Sequence, residues 1–183
     1  LVVDPSAPNP ATALSLGNAI FVNTNRINAR WTSSTAPDLK YQTVNFYRDS
    51  NCTTIHEVIP NLDKRMNQLV QTLDFEFDYS FNVTSCDSAG NCTTSICSPS
   101  ITRDITVPAA PTSLTWDIGA TTSEYSAKAV WAASLSSDVE SYELQLFTDS
   151  SCSTLVQGAT AQVLATHTNH TVLFAADGSY YFN

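Results

Sequence analysis

Basic residues are scarce in this chain. Its 183 residues hold 8 Lys and Arg against 17 Asp and Glu, for a net charge of −9. A surface of that sign repels phosphate backbones, which argues against nucleic acid and anionic lipid as partners. No run of 18 apolar residues occurs, so this stretch encodes no helical membrane span. An initiator Met and a signal peptide are missing too, and the chain opens on Leu1-Val2-Val3-Asp4-Pro5. Such a start is expected of a segment excised or processed from something longer. No Cys-x-x-Cys pair is present, and histidine is limited to His56, His167 and His170. The pair His167 and His170 has no Cys or carboxylate close by, so no metal site is expected. There is no Gly-rich phosphate loop, no Gly-x-Ser-x-Gly elbow and no Cys/His dyad context, so neither a cofactor nor enzyme activity is expected. No segment sustains a helical period.

What the chain does contain is itself, nearly twice. A shift of 100 positions puts Asp104 on Asp4, Pro108 on Pro8, Leu114 on Leu14, Trp131 on Trp31 and Asp138 on Asp38. It also puts Asp149, Ser150 and Cys152 on Asp49, Ser50 and Cys52. That period is too long for a solenoid and fits an independent sandwich domain. Two domains are therefore expected, 1–103 and 104–183. Their charges differ: seven basic against nine acidic residues in the first, Lys128 alone against eight acidic residues in the second.

Alternation and breakers mark short strands. In the first copy, residues 13–16 read as strand A. Ile27, Ala29 and Trp31 mark B; Gln42, Val44 and Phe46 mark C; Tyr79, Phe81 and Val83 mark F; residues 92–99 read as G. The Asp87–Asn91 stretch, with Gly90, reads as a hairpin turn. Residues 54–70 are the least legible: a solvated turn at Asp63, Lys64 and Arg65 with strand on either side, or a short helix. In the second copy, A is expected at 113–116, B at 127–131, C at 141–147, and F begins at Tyr180. The expected class is all-β, two tandem β-sandwiches, the second lacking its C-terminal strand or strands and truncated within F.

A Trp ending strand B (Trp31, Trp131), an aromatic-rich strand C, and Leu73 six residues before Tyr79 resemble the fibronectin type III module. Phe174 and Tyr180 supply that spacing in the second copy. The Asp-x-Ala-Gly-Asn and Asp-Ser-x-Cys turns resemble those of Ig-like or fibronectin-like repeats in bacterial surface and secreted proteins. The resemblance implies a corner role for Tyr79 and Tyr180, each hydroxyl bonding back to upstream backbone. In the topology it implies, Cys86 and Cys92 flank the F–G hairpin, and Cys52 and Cys97 lie at ends of C and G on one side of the sheet. The expected disulfides are Cys52–Cys97 and Cys86–Cys92 in an oxidising compartment. Cys152 is then left over. Its partner is expected near position 198, beyond Asn183, with the missing strand lying elsewhere in a longer chain or donated by another.

Tyr47 and Phe147, on the outer face of strand C, and Trp116, ending strand A of the second copy, are the candidate ligand contacts. They either stack sugar rings or pack against loops. Asp74, Glu76 and Asp78 alternate with Phe75 and Phe77, and are expected on the solvated side of that segment. Asp4, Asp38, Asp104 and Asp138 are expected as turn residues. Four Asn-x-Thr sequences begin at Asn51, Asn82, Asn91 and Asn169, and the bacterial source that the resemblance implies would leave them mostly unused. The junction at 101–108 is short and free of a Gly/Ser run, so stiff coupling is expected.

These readings predict an extracellular, non-catalytic adhesive or structural module pair from a cell-surface fibre or adhesin. Its partners would be a protein or glycan on another cell surface, or sister modules of the same fibre. Alternatives are carbohydrate-binding or spacer modules of a secreted degradative enzyme, and a receptor-like binding ectodomain.

Overall fold

The computed structural model describes residues 3–119 and 122–183. The chain divides into two compact units, Leu1–Thr106 and Val107–Asn183. All regular structure among the described residues is β-strand.

Unit 1 holds β1 (Thr12–Ser15), β2 (Phe21–Val22), β3 (Arg26–Thr32), β4 (Leu39–Tyr47), β5 (Ile55–Asp63), β6 (Gln68–Thr72), β7 (Asp78–Asp87), β8 (Cys92–Thr94) and β9 (Ile101–Arg103). One sheet runs β1-β3-β6 and the facing sheet runs β2-β9-β7-β4-β5, with β8 also on β7. All pairs are antiparallel except β2 with β9. The alternation of β3 does its work directly: Ile27, Ala29 and Trp31 are buried while Arg26, Arg30 and Thr32 are exposed. They meet Val44, Phe46, Leu73, Tyr79, Phe81, Val83 and Ile101 in one core. Each such side chain fully removed from water contributes about 1.5–3 kcal/mol. Trp31 donates its indole N–H to Gln42 Oε1 at 2.9 Å. The Gln42 amide in turn donates to the carbonyls of Asp63, Lys64 and Met66, so one buried side chain ties β3, β4 and the β5–β6 turn.

Residues 54–70 contain no helix. They form β5 and β6 on either side of a turn at Lys64 and Arg65. Alternation fails here because β5 pairs with β4 through register shifts, and Asn61 takes a positive φ of 58°. Strand G also departs from expectation. It breaks into β8 and β9, with Pro99, which has no N–H to offer a ladder, in the gap between them. Two serines bridge the gap. Ser95 and Ser98 donate main-chain N–H groups to the carbonyls of Val83 and Phe81. Their hydroxyls accept the N–H groups of those same two residues, each at 3.0 Å.

Unit 2 holds β10 (Thr112–Trp116), β11 (Ser126–Ala132), β12 (Ser141–Phe147), β13 (Leu155–Leu164), β14 (Asn169–Leu173) and β15 (Tyr181–Phe182). Its sheets run β10-β11-β14 and β13-β12-β15. Ala129, Trp131, Leu144, Leu146, Val163 and Val172 form the core, with Trp116, Phe174, Tyr180 and Phe182 packed against it. The repeat extends to backbone irregularities. The first strand of each unit bulges at a residue of positive φ, Ala13 at 51° and Ser113 at 56°.

Candidate functional site

The recurring Asp-Ser-x-Cys segment builds the same turn in both units. The Asp49 carboxylate accepts from the N–H groups of Asn51, Thr53 and Thr54 and from the Thr53 hydroxyl. Burial pushes the Asp49 pKa up, but these bonds outweigh it and hold the group well below its ordinary 3.8. Asp149 accepts from the Ser151 hydroxyl, from the Ser153 hydroxyl and from the N–H groups of Ser151, Ser153 and Thr154. The Ser151 hydroxyl is the largest influence on Asp149, burial opposes it, and the outcome is again a strongly lowered pKa. Each turn puts its cysteine at positive φ, 56° at Cys52 and 53° at Cys152. Cys52 is bonded to Cys97, with Cα atoms 5.8 Å apart, and Cys86 to Cys92 across the F–G hairpin. The Cys152 thiol is free and half-buried.

Two of the three candidate ligand contacts are covered. Tyr47 is 9% exposed and Phe147 6%. The Tyr47 hydroxyl accepts from the Asn82 amide at 3.1 Å, and Asn82 is itself bonded to Asn45. The outer face of β4 and β7 is thus a closed polar layer with no free aromatic surface at Tyr47. Trp116 is half-buried, edge-on to Phe174 and Phe182.

Asp74, Glu76 and Asp78 are exposed, as expected, but Phe75 and Phe77 are exposed with them rather than alternating inward. Tyr79 is the reason: its hydroxyl donates to the Phe75 carbonyl at 3.1 Å and accepts the Phe75 N–H at 3.3 Å. This corner keeps residues 75–77 out of the strand, and Phe75 and Phe77 come out 58% and 43% exposed. Tyr180 makes the corresponding bond to the Ala176 carbonyl. The Arg48 guanidinium lies 5.6 Å from the Phe75 ring centroid and 5.8 Å from that of Phe77, and it pairs with Asp74 at 3.5 Å. Arg48 also donates to His56 Nδ1 at 3.0 Å. Sequence reading missed this patch because alternation assigned the two phenylalanines to the interior.

The other acids serve the junction and the far end of the sandwich. Glu76 accepts from the Ile105 N–H and the Thr106 hydroxyl, and Asp78 from the Thr102 hydroxyl. Asp104 donates its N–H to the Val22 carbonyl at 2.9 Å, and Thr102 to that of Ile20 at 2.8 Å. These bonds hold the segment up to Thr106 on unit 1. Asp4, Asp38 and Asp87 bring carboxylate oxygens within 4.8 Å of one another. Such hard oxygen donors suit a cation like Ca²⁺. In this structure both Asp87 oxygens accept from Asn91, whose amide also reaches the Asp4 carbonyl. Burial raises the Asp87 pKa, but the Asn91 bonds prevail and lower it.

In unit 2 a groove of about 730 Å³ opens beside Tyr180, lined by Trp116, Ile118, Phe174 and Ser179 among others.

No protein-family model matches the chain, and no curated protein matches it in sequence. Among solved structures it is similar to the crystal structure of the FN1–FN3 domains of chicken CNTN1. The similarity has a TM-score of 0.52 at 13% identity, over 97% of this chain and 60% of that one. At that identity the likeness speaks to fold alone: this is an all-β chain of tandem fibronectin type III-like sandwiches.

Proposed function

We propose that this chain is a non-catalytic, load-bearing and adhesive segment of a secreted or cell-surface protein, of the bacterial fibre or adhesin kind. The observation that carries the reading is the parallel pairing of β2 with β9, Phe21 opposite Thr102 and Val22 opposite Arg103. The chain enters unit 1 ahead of β2 and leaves it after β9. Pulling the two ends apart slides these strands along their axes in opposite directions. Parallel strands loaded this way are sheared, with every hydrogen bond strained together, whereas a hairpin pulled at its open end unzips one bond at a time. The Cys52–Cys97 bond adds a second safeguard, since residues between the two cysteines stay folded back under tension. The recurring carboxylates Asp49 and Asp149 are consumed in turns, which leaves them no part in chemistry on a substrate. An adhesive contact with a protein or glycan on another surface falls on the exposed Phe75 and Phe77 rings with the half-buried Arg48 beside them.

Single-molecule pulling of the 183-residue chain tests this. Unit 1 should rupture at a higher force than unit 2. Its released length should fall short by the 45-residue Cys52–Cys97 separation, on the order of 150 Å of extended chain. Asp104→Pro, which deletes the N–H to Val22, should lower the unit 1 force. Equal forces in the two units, unchanged by Asp104→Pro, would remove the mechanical reading.

A further inference from the structure

Strand β13 reads almost the same in both directions. It begins Leu155-Val156-Gln157, ends Gln162-Val163-Leu164, and has Gly-Ala-Thr-Ala between. Two such strands laid antiparallel set like against like: Leu155 on Leu164, Val156 on Val163, Gln157 on Gln162. A two-fold axis normal to the sheet keeps every residue on its own face, so opposite residues must share a face. Strict alternation would forbid these pairs, because the members of each lie an odd number of positions apart. Gly158 removes the obstacle. It takes a φ of 79°, and the register of β13 against β12 shifts beside it, between Gln145 and Phe147. As a result Val156 and Val163 both pack on the core, while Leu155, Gln157, Gln162 and Leu164 all face solvent. The main chain agrees. Thr148 donates its N–H to the Thr154 carbonyl, and Ala165 donates to that of Glu140. Ladder alternation from those two bonds turns the N–H and C=O groups of Leu155, Gln157, Gln162 and Leu164 away from β12, towards the open side.

Among the described residues nothing takes that side, since β12 is the one strand paired with β13. This is the sheet edge opposite β15. Unit 1 leaves the corresponding edge open with β7, β8 and β9 all in place, for β5 pairs only with β4. The two edges differ in their protection. Strand β5 carries Glu57, Pro60 and Asp63, which discourage further pairing, whereas the 10 residues of β13 include no charge and no proline. Its two end leucines are 46% and 63% exposed. We infer that the free edge of β13 is a self-association site, where two copies of this chain join their β13 strands antiparallel with Leu155 of each opposite Leu164 of the other. The dimer continues the β15-β12-β13 sheet into its partner, and it goes beyond load bearing without resting on it. One strand pair buries less than a standard interface, so the association is weak and reversible.

Sedimentation velocity of the 183-residue chain tests this, with Cys152→Ser throughout to keep disulfide exchange out of the readout. A reversible monomer–dimer equilibrium should appear over roughly a hundredfold range of concentration reaching the millimolar. Leu155→Lys with Leu164→Lys puts like charges opposite each other and should weaken dimerisation at least about tenfold. Leu155→Lys with Leu164→Glu puts opposite charges there and should restore it. Both leucines are exposed, so these changes spare the core. Amide hydrogen exchange gives a second readout with the leucines unchanged. Gln162 and Leu164 should gain protection as concentration rises, while Ala161 and Val163, bonded to β12, should be protected throughout. A monomer at every concentration would overturn the inference, as would a dimer that the doubly basic variant leaves intact. So would a mixed-charge variant no more dimeric than the doubly basic one, since the register would then be wrong.

Discussion

The two units share a turn but not a hub. Around Asp49 and Asp149 the bonds recur almost donor for donor, with Ser151 and Ser153 doing in unit 2 what Asn51 and Thr53 do in unit 1. The polar centre of unit 1 does not recur. Gln42, fully buried, accepts from Trp31 and donates to three carbonyls. Its counterpart is Tyr142, whose ring lies edge-on to Trp131 and whose hydroxyl accepts the Ser134 N–H. Trp131 is left with a buried indole N–H that has no partner. Unit 1 also has two disulfides, and unit 2 has a single free cysteine. A turn is written within a few residues, so it survives repetition. A buried network needs partners from distant strands to change together, so it is lost first.

The largest way to narrow this difference is to cut the Cys52–Cys97 bond. The loop it closes spans 45 residues, for which the chain-entropy estimate is about 4 kcal/mol. The Cys52→Ser, Cys97→Ser double variant should lower the unit 1 thermal transition by on the order of 20 °C and leave the unit 2 transition in place. Cutting Cys86–Cys92, a separation of 6, should cost about half as much. Scanning calorimetry of the intact chain reads both. A loss shared equally by the two transitions would contradict the assignment of this staple to unit 1.

Next in size is the hub. Gln42→Ala leaves the Trp31 N–H and the carbonyls of Asp63, Lys64 and Met66 without a buried partner, at a cost of about 3 kcal/mol in unit 1. Trp131→Phe is its counterpart in unit 2. It removes an N–H that is already unpaired, so the desolvation it relieves offsets the lost ring area, and a change of under about 1 kcal/mol is expected. Denaturant unfolding of both variants gives the contrast directly. Comparable losses at the two sites would mean that Gln42 contributes only volume.

How far these features were legible follows from the same distinction. Alternation located β3, β4, β7, β11 and β12, because one face of each meets a core. The Asp turns and the hairpin around Gly90 were legible from their own residues. The break in strand G was not, since it depends on Ser95 and Ser98 bonding to residues of β7. Nor was β5, whose register shifts against β4 scramble the period of two. Phe75 and Phe77 were misplaced because a single hydroxyl, that of Tyr79, overrides their alternation. The burial of Tyr47 depends on Asn82, a strand away, and the gathering of Asp4, Asp38 and Asp87 depends on the end of β7. Apart from the Tyr79 corner, whose partner Phe75 is four residues away, these failures are contacts between residues distant in sequence.

The smallest effect on the comparison is expected from pH. Asp49 and Asp149 are both depressed below the ordinary 3.8 by hydrogen bonds. A group with a lowered folded-state pKa contributes its stability in full above the unfolded value, and loses it as the pH falls towards the folded value. Both transitions should therefore begin to drop as the pH goes below about 4, and nothing from these two groups should appear between pH 5 and 8. Asp49→Asn should flatten the acid slope of unit 1 alone, and Asp149→Asn that of unit 2 alone, to a similar degree. Because the two turns share their backbone bonds and differ by the Ser151 hydroxyl, acid should leave the gap between the units nearly constant while lowering both. A gap that closes or widens steeply below pH 4 would mean that the turns, despite their shared geometry, are not energetically equivalent, and that the disulfide at Cys52 alters the carboxylate beside it.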